Sequence, residues 1–171
     1  SHKDNYMEII PLFPVSKEST RSAGGGNFDK AIEKSQKAVK LHSIKTKPKK
    51  KAGRELTEKD KQWYAKKEYN PFLHHAWMLM GKAQFQKGEF LEAASTFSYI
   101  TRLYSEDPEI VAEARMRMAQ CYAELEWNYE AENLLGEMKR DSIPYQLAEE
   151  YDAIMASHLL AQERFAEALP Y

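Results

Sequence analysis

From Phe72 to the end of the chain, apolar residues recur at intervals of three and four. Between residues 90 and 104 the stripe is Phe90, Ala93, Phe97, Ile100 and Leu103 or Tyr104, the spacing that one face of a helix requires. The same periodicity predicts helices over about 72–87, 90–104, 109–125, 128–139, 145–161 and from 164 onward. Upstream, residues 27–42 read as a helix with Asn27 or Asp29 near its start. Thr57, followed three residues later by Asp60, opens a short helix through a weakened capping box. That helix is expected to run to about Tyr69, where Asn70-Pro71 ends it. Residues 1–13 predict a short helix ending at Pro11, and 14–26 a loop closing on Gly24-Gly25-Gly26.

A longer period lies over the helical one. An alanine that follows an aromatic residue falls at Ala93, Ala131 and Ala168, spaced by 38 and 37 residues. Twelve residues before each stands another small residue, Gly81, Ala119 and Ala156. Two helices of a hairpin approach closely only where side chains are short. A bulky replacement at these places would overpack the contact, at about 1–3 kcal/mol.

Around these anchors the chain resembles the tetratricopeptide repeat, whose motif runs W-x₂-L-G-x₂-Y, then A-x₃-F, then P. The first unit reads Trp77, Met80, Gly81, Phe85, Gly88, Phe90, Ala93, Phe97 and Pro108. Phe85 falls one place beyond the family's tyrosine and Pro108 about three places late. The second unit reads Arg115, Met118, Ala119, Tyr122, Ala131, Leu135 and Pro144, without the tryptophan and the glycine. The third reads Asp152, Met155, Ala156, Leu159, Phe165 and Ala168. The resemblance implies an all-α fold, an α-solenoid of helix hairpins in an open right-handed superhelical stack. It divides the chain into a short helix and Gly-rich loop (1–26), the second helix of a partial repeat (27–42), a basic insertion with a short helix (43–71), two repeats (72–108 and 109–142) and a truncated one (143–171).

Composition agrees with a helical protein. Seven glycines and seven prolines in 171 residues are few, and apolar and charged residues make up 43% and 30%, within the globular range. Net charge is only −1, but it is unevenly placed. Residues 89–171 carry 17 acidic and 6 basic side chains, whereas residues 1–88 carry 9 and 19. Such a split predicts two surfaces with different partners, or two halves that attract each other. A single cysteine, Cys121, excludes an internal disulfide and falls on the expected apolar face with Met118, Ala119, Tyr122 and Leu125. The absence of an initial methionine, and a last residue inside an apolar periodic segment, read as a piece of a larger protein. Phe165 and Leu169 are then expected to stand exposed and to favour self-association.

The candidate chemistry is sparse. His74-His75 are adjacent, about 100° apart on a helix, and chelate poorly compared with i, i+4 spacing. Gly24-Gly25-Gly26 lacks the G-x₄-G-K-[ST] arrangement of a phosphate loop, and no strand precedes it. Lys45, Lys47, Lys49, Lys50, Lys51 and Arg54 form a basic patch that reads first as a solvated loop and second as a site for nucleic acid or an acidic polymer. No Ser/His/Asp or Cys/His constellation stands out, which points away from an enzyme. No metal site, cofactor or small-molecule substrate is expected.

In a stack of hairpins the first helices line a concave groove. The expected protein-binding positions are His75, Met78, Lys82 and Phe85, then Glu113, Met116, Arg117, Gln120 and Ala123 or Glu124, then Ala153, Ser157 and Leu160. Trp77, Phe97 and Tyr122, with the six small anchors, are read as structural. Some tetratricopeptide proteins grip a C-terminal carboxylate. The matching positions here are Met78, Lys82, Arg117, Glu150 and Ile154, of which only Lys82 and Arg117 suit the task.

A narrower resemblance rests on residues 70–85, Asn70-Pro71-Phe72-Leu73-His74-His75-Ala76-Trp77 and onward, with His2-Lys3-Asp4-Asn5-Tyr6 and Lys40-Leu41-His42-Ser43-Ile44-Lys45. These resemble the N-terminal repeat region of Bacteroidetes lipoproteins of the gliding-motility and type IX secretion kind (SprE/PorW type). That resemblance implies a periplasmic, outer-membrane-anchored parent protein acting as a scaffold for other proteins or peptides. It implies contact with the membrane only through a lipid anchor absent from this fragment.

Overall fold

The computed structural model describes residues 26–49, 53, 55–138 and 143–171. The expected short helix over 1–13, most of the Gly-rich loop, and Lys50, Lys51 and Arg54 lie outside these residues. Eight helices and no strand occur among the described residues. They are α1 (Gly26–His42), α2 (Glu58–Ala65), α3 (Leu73–Gln86), α4 (Phe90–Leu103), α5 (Pro108–Glu124), α6 (Asn128–Glu137), α7 (Tyr145–Ala161) and α8 (Phe165–Ala168). None is long and apolar enough to cross a membrane.

Each helix from α3 onward packs on its neighbour in sequence, and α1 packs on α3. Lighter contacts join α3 to α5 and α5 to α7, so the first helices of successive hairpins touch. The apolar side chains form two clusters. One joins Met78, Phe85, Ala93, Phe97, Ile100, Ala114 and Cys121 across α3, α4 and α5. The other joins Met116, Ala119, Leu135, Tyr151, Ile154, Leu159 and Ala168 across α5 to α8. Helix α5 therefore serves two cores with two faces, as its apolar residues at 114 and 121 and at 116 and 119 allow.

The hairpin turns repeat in atomic detail. Gly88, Glu126 and Glu163, spaced by 38 and 37, all have positive φ, at 80°, 60° and 59°. In each turn two hydrogen bonds close a Schellman motif. The N–H of Glu89, Trp127 and Arg164 donates to the carbonyl of Gln84, Tyr122 and Leu159, and the N–H of the positive-φ residue donates to Phe85, Ala123 and Leu160. The next residue is the N-cap of the second helix in all three, with φ/ψ of −83/66°, −84/66° and −89/62°. The first bond of each second helix comes from an anchor alanine, Ala93, Ala131 or Ala168. Only the first turn has glycine at its left-handed position. An L-residue there costs about 1–2 kcal/mol, partly offset by the extra freedom glycine has in the unfolded chain. Glu126→Gly is expected to raise stability by about 0.5–1 kcal/mol in urea denaturation, and a loss would show that the Glu126 side chain holds the turn.

Gly81 lies under Phe97. A Cβ built on Gly81 would stand 2.7 and 2.8 Å from two carbons of that ring. The close approach expected between first and second helices is therefore made by Gly81 with the residue one turn beyond Ala93. Ala93 and Ala131 are fully enclosed and Ala119 nearly so, while Ala156 is half-buried.

The segment between α1 and α3 differs from expectation. Thr57 does cap α2: the Asp60 N–H donates to Thr57 Oγ1 at 3.2 Å, and the Thr57 N–H donates to Asp60 Oδ2 at 2.9 Å. The helix, however, ends at Ala65 rather than near Tyr69. Tertiary bonds take the backbone from there. The buried Glu68 carboxylate accepts from Ser43 Oγ (2.5 Å) and from the N–H groups of Ile44 (2.7 Å) and Asn70 (3.0 Å). The Tyr69 N–H donates to the Ile44 carbonyl at 2.8 Å, and Asn70 Nδ2 to that of His42 at 2.8 Å. These bonds draw the two ends of the insertion together.

Burial alone would raise the Glu68 pKa. The Ser43 hydroxyl and the backbone N–H groups of Asn70, Ile44 and Tyr69 hold it below the ordinary value instead. A carboxylate with a depressed folded pKa stabilises fully above its unfolded value, about 4.3, and loses that contribution as pH falls through the lower folded value. Glu68→Gln is expected to cost about 1–2 kcal/mol at pH 7. Urea midpoints of the two proteins should draw together as pH falls below the ordinary carboxylate range, and parallel curves would refute this role.

Candidate functional site

On the first-helix side lies an open groove of about 430 Å³. Met78 and Leu79 from α3, Ile110 from α5 and Pro144 and Leu147 at the start of α7 form its apolar walls. His74, His75, Lys82, Glu109, Glu113 and Gln146 supply the polar ones. Three helices position these groups. Their spacing follows the helical period along α3, where His74, His75, Met78, Leu79 and Lys82 share one side.

Charges beside the groove are largely consumed internally. Lys82 Nζ lies 3.0 Å from Glu113 on α5. Arg117, one turn further along α5, lies 3.7 Å from Glu113 and 2.5 Å from Glu150 on α7, and also donates to Gln120 at 3.2 Å. The result is a ladder of alternating charge, Lys82–Glu113–Arg117–Glu150, joining α3, α5 and α7. Arg117 is nearly inaccessible, and such a buried guanidinium requires these partners. The two cations matching a carboxylate clamp are therefore both committed to carboxylates of the chain itself. Further pairs cross between the basic and acidic halves, among them Lys66–Asp107 at 3.3 Å.

Of the expected groove residues, His75, Met78, Lys82 and Glu113 come together here. Phe85 and Met116 do not. They are 1% and 0% exposed and belong to the two cores. Phe85 sits beside the hairpin turn and meets the Phe90 ring edge-on at 5.1 Å. Met116 faces the second core because α5 must serve both. Arg117 and Gln120 are also buried, while Glu124 is half-buried and lies outside the groove lining. Leu79, Glu109, Ile110, Pro144, Gln146 and Leu147 were missed by sequence reasoning. The α5 residues could have been found one turn before Glu113. Those of α7 could not, because only packing brings its first turn alongside α3.

The remaining candidates have structural settings. The His74 and His75 rings lie 3.9 Å apart at a tilt of 39°, and His74 meets Tyr104 edge-on at 6.0 Å. Burial and the neighbouring His75 lower the His74 pKa, against the raising influence of Pro71, Asp107 and Glu113, so its imidazole is neutral at pH 7. No group of three potential metal ligands meets among the described residues. Cys121 is enclosed, and desolvation pushes its thiol far above the usual range. Trp77 packs on Tyr99 at 4.8 Å and Tyr122 stacks on Trp127 at 5.7 Å. Lys45, Lys47 and Lys49 are exposed. Phe165 and Leu169 also stand exposed.

Comparison with protein-family models, with curated proteins and with solved structures finds no match to this chain. Function therefore rests on the chemistry of the groove.

Proposed function

We propose that this chain is a non-enzymatic protein-interaction scaffold of the tetratricopeptide type, and that the groove between α3, α5 and α7 docks a peptide or helix of another protein. The carrying observation is the groove itself: open, about 430 Å³, apolar in its walls, with Lys82 and Glu113 already paired beside it. Such a surface suits insertion of apolar side chains from a segment lying across several helices. The three identical turns spaced by 38 and 37 residues support reading the hairpins as a solenoid, with first helices on its concave side. Resemblance of residues 70–85 to Bacteroidetes envelope lipoproteins supports placing the parent at the periplasmic side of the outer membrane, in a secretion or gliding-motility complex.

Leu79 is a half-buried groove residue that belongs to neither core, so it can be changed without emptying either. Leu79→Asp and Leu79→Arg are expected to abolish recovery of a partner from envelope extracts while the helical circular-dichroism signal and melting temperature are retained. Undiminished recovery with both variants would reject the groove as the docking site.

A second reading assigns nucleic acid or an acidic polymer to the basic insertion. It is favoured by the exposure of Lys45, Lys47 and Lys49. It requires binding to DNA, RNA or heparin with a steep salt slope that disappears when these lysines are neutralised.

A further inference from the structure

We infer that the segment docking in the groove is cationic, carrying a lysine or arginine beside its apolar anchors. This deepens the scaffold reading and rests on it. The inference comes from the charge left over once internal pairs are removed. Lys82, Glu113, Arg117 and Glu150 neutralise one another in the ladder. His74 is held neutral by burial and by His75. Glu109 remains. It lines the groove next to Ile110, is exposed, and has no ion-pair partner among the described residues.

An acidic segment would meet the Glu109 carboxylate and find Lys82 already occupied by Glu113. Like charges brought together at an interface disfavour binding, so the groove selects by sign as well as by apolar content.

The test uses the full 171-residue chain and a displayed library of random 12-residue peptides, selected against wild type, Glu109→Lys and Leu79→Asp proteins. Wild type is expected to enrich peptides that join apolar residues to a net positive charge. Synthetic versions should lose about tenfold in affinity for Glu109→Lys and weaken with added salt. Enrichment of neutral or acidic peptides that depend on Leu79, or affinities indifferent to Glu109→Lys, would overturn the charge inference while leaving the groove reading intact. Absence of any enrichment lost in Leu79→Asp would overturn the groove reading and the charge inference together. Circular dichroism of each variant, unchanged from wild type, secures that the fold is retained.

Discussion

Replacing Phe97 with alanine is expected to lower stability by about 3–5 kcal/mol, the largest effect of any single substitution considered. The ring is completely enclosed in the first core, between α3 and α4, with α5 beyond. Truncation removes a full aromatic side chain's burial and leaves a cavity that Gly81, lacking a side chain, cannot fill from below. Met78, Ile100 and Ala114 share that core, so the loss spreads to the junction of the first and second hairpins. Urea denaturation followed by circular dichroism gives the value. A change under about 1 kcal/mol would mean that the ring is not the keystone of this hairpin.

The second expected result is a loss of about 3 kcal/mol for Gly81→Val, at the upper end for overpacking. The first added carbon would stand 2.7 Å from the Phe97 ring, far inside ordinary contact, and the enclosed ring has no room to swing away. Gly81→Ala is milder, because alanine gains up to about 1 kcal/mol of helix propensity over glycine. The two sites can be tested against each other. The double variant Gly81→Ala, Phe97→Ala places a methyl group toward the space the ring vacated. It is expected to be more stable than the sum of the single losses by about 1 kcal/mol, a coupling that only residues in contact produce. Strict additivity would place the two residues apart.

Local chemistry made much of this architecture readable in advance. Helices α3 to α7 start and stop within about two residues of where the three- and four-residue spacing puts them, α8 starts within one, and Thr57 caps α2 as its partner Asp60 foretold. The regularity behind the small residues is also local in origin. One three-residue turn with a left-handed central residue reverses the chain, and it recurs at Gly88, Glu126 and Glu163. Two of those positions carry glutamate, so no glycine pattern announced them. The alanines four residues beyond each N-cap did.

The groove was less readable. His75, Met78 and Lys82 lie on the expected face, but Phe85 and Met116, on the same helical period, are core residues. Periodicity shows which residues share a side of a helix and is silent on how far along that side a neighbouring helix covers it. The C-terminal end of α3 is closed by its own turn into α4, whereas its N-terminal end opens toward α7. Likewise Lys82 and Arg117 read as free cations until Glu113 and Glu150, 31 and 33 residues further on, are brought beside them.

What this sequence determined by itself is therefore the inventory of helices among the described residues, its period and the short side chains at which helices meet, because each depends on contacts within a turn or two of the same chain. Tertiary structure alone decided where α2 ends, which charges cancel and which part of the first-helix face stays open. Those outcomes depend on groups far apart in sequence: Glu68 against Ser43 and Ile44, Lys82 against Glu113, the start of α7 against α3. Hydrogen bonds and ion pairs of that kind exist only after packing has removed the competing water, and no spacing along the chain encodes them.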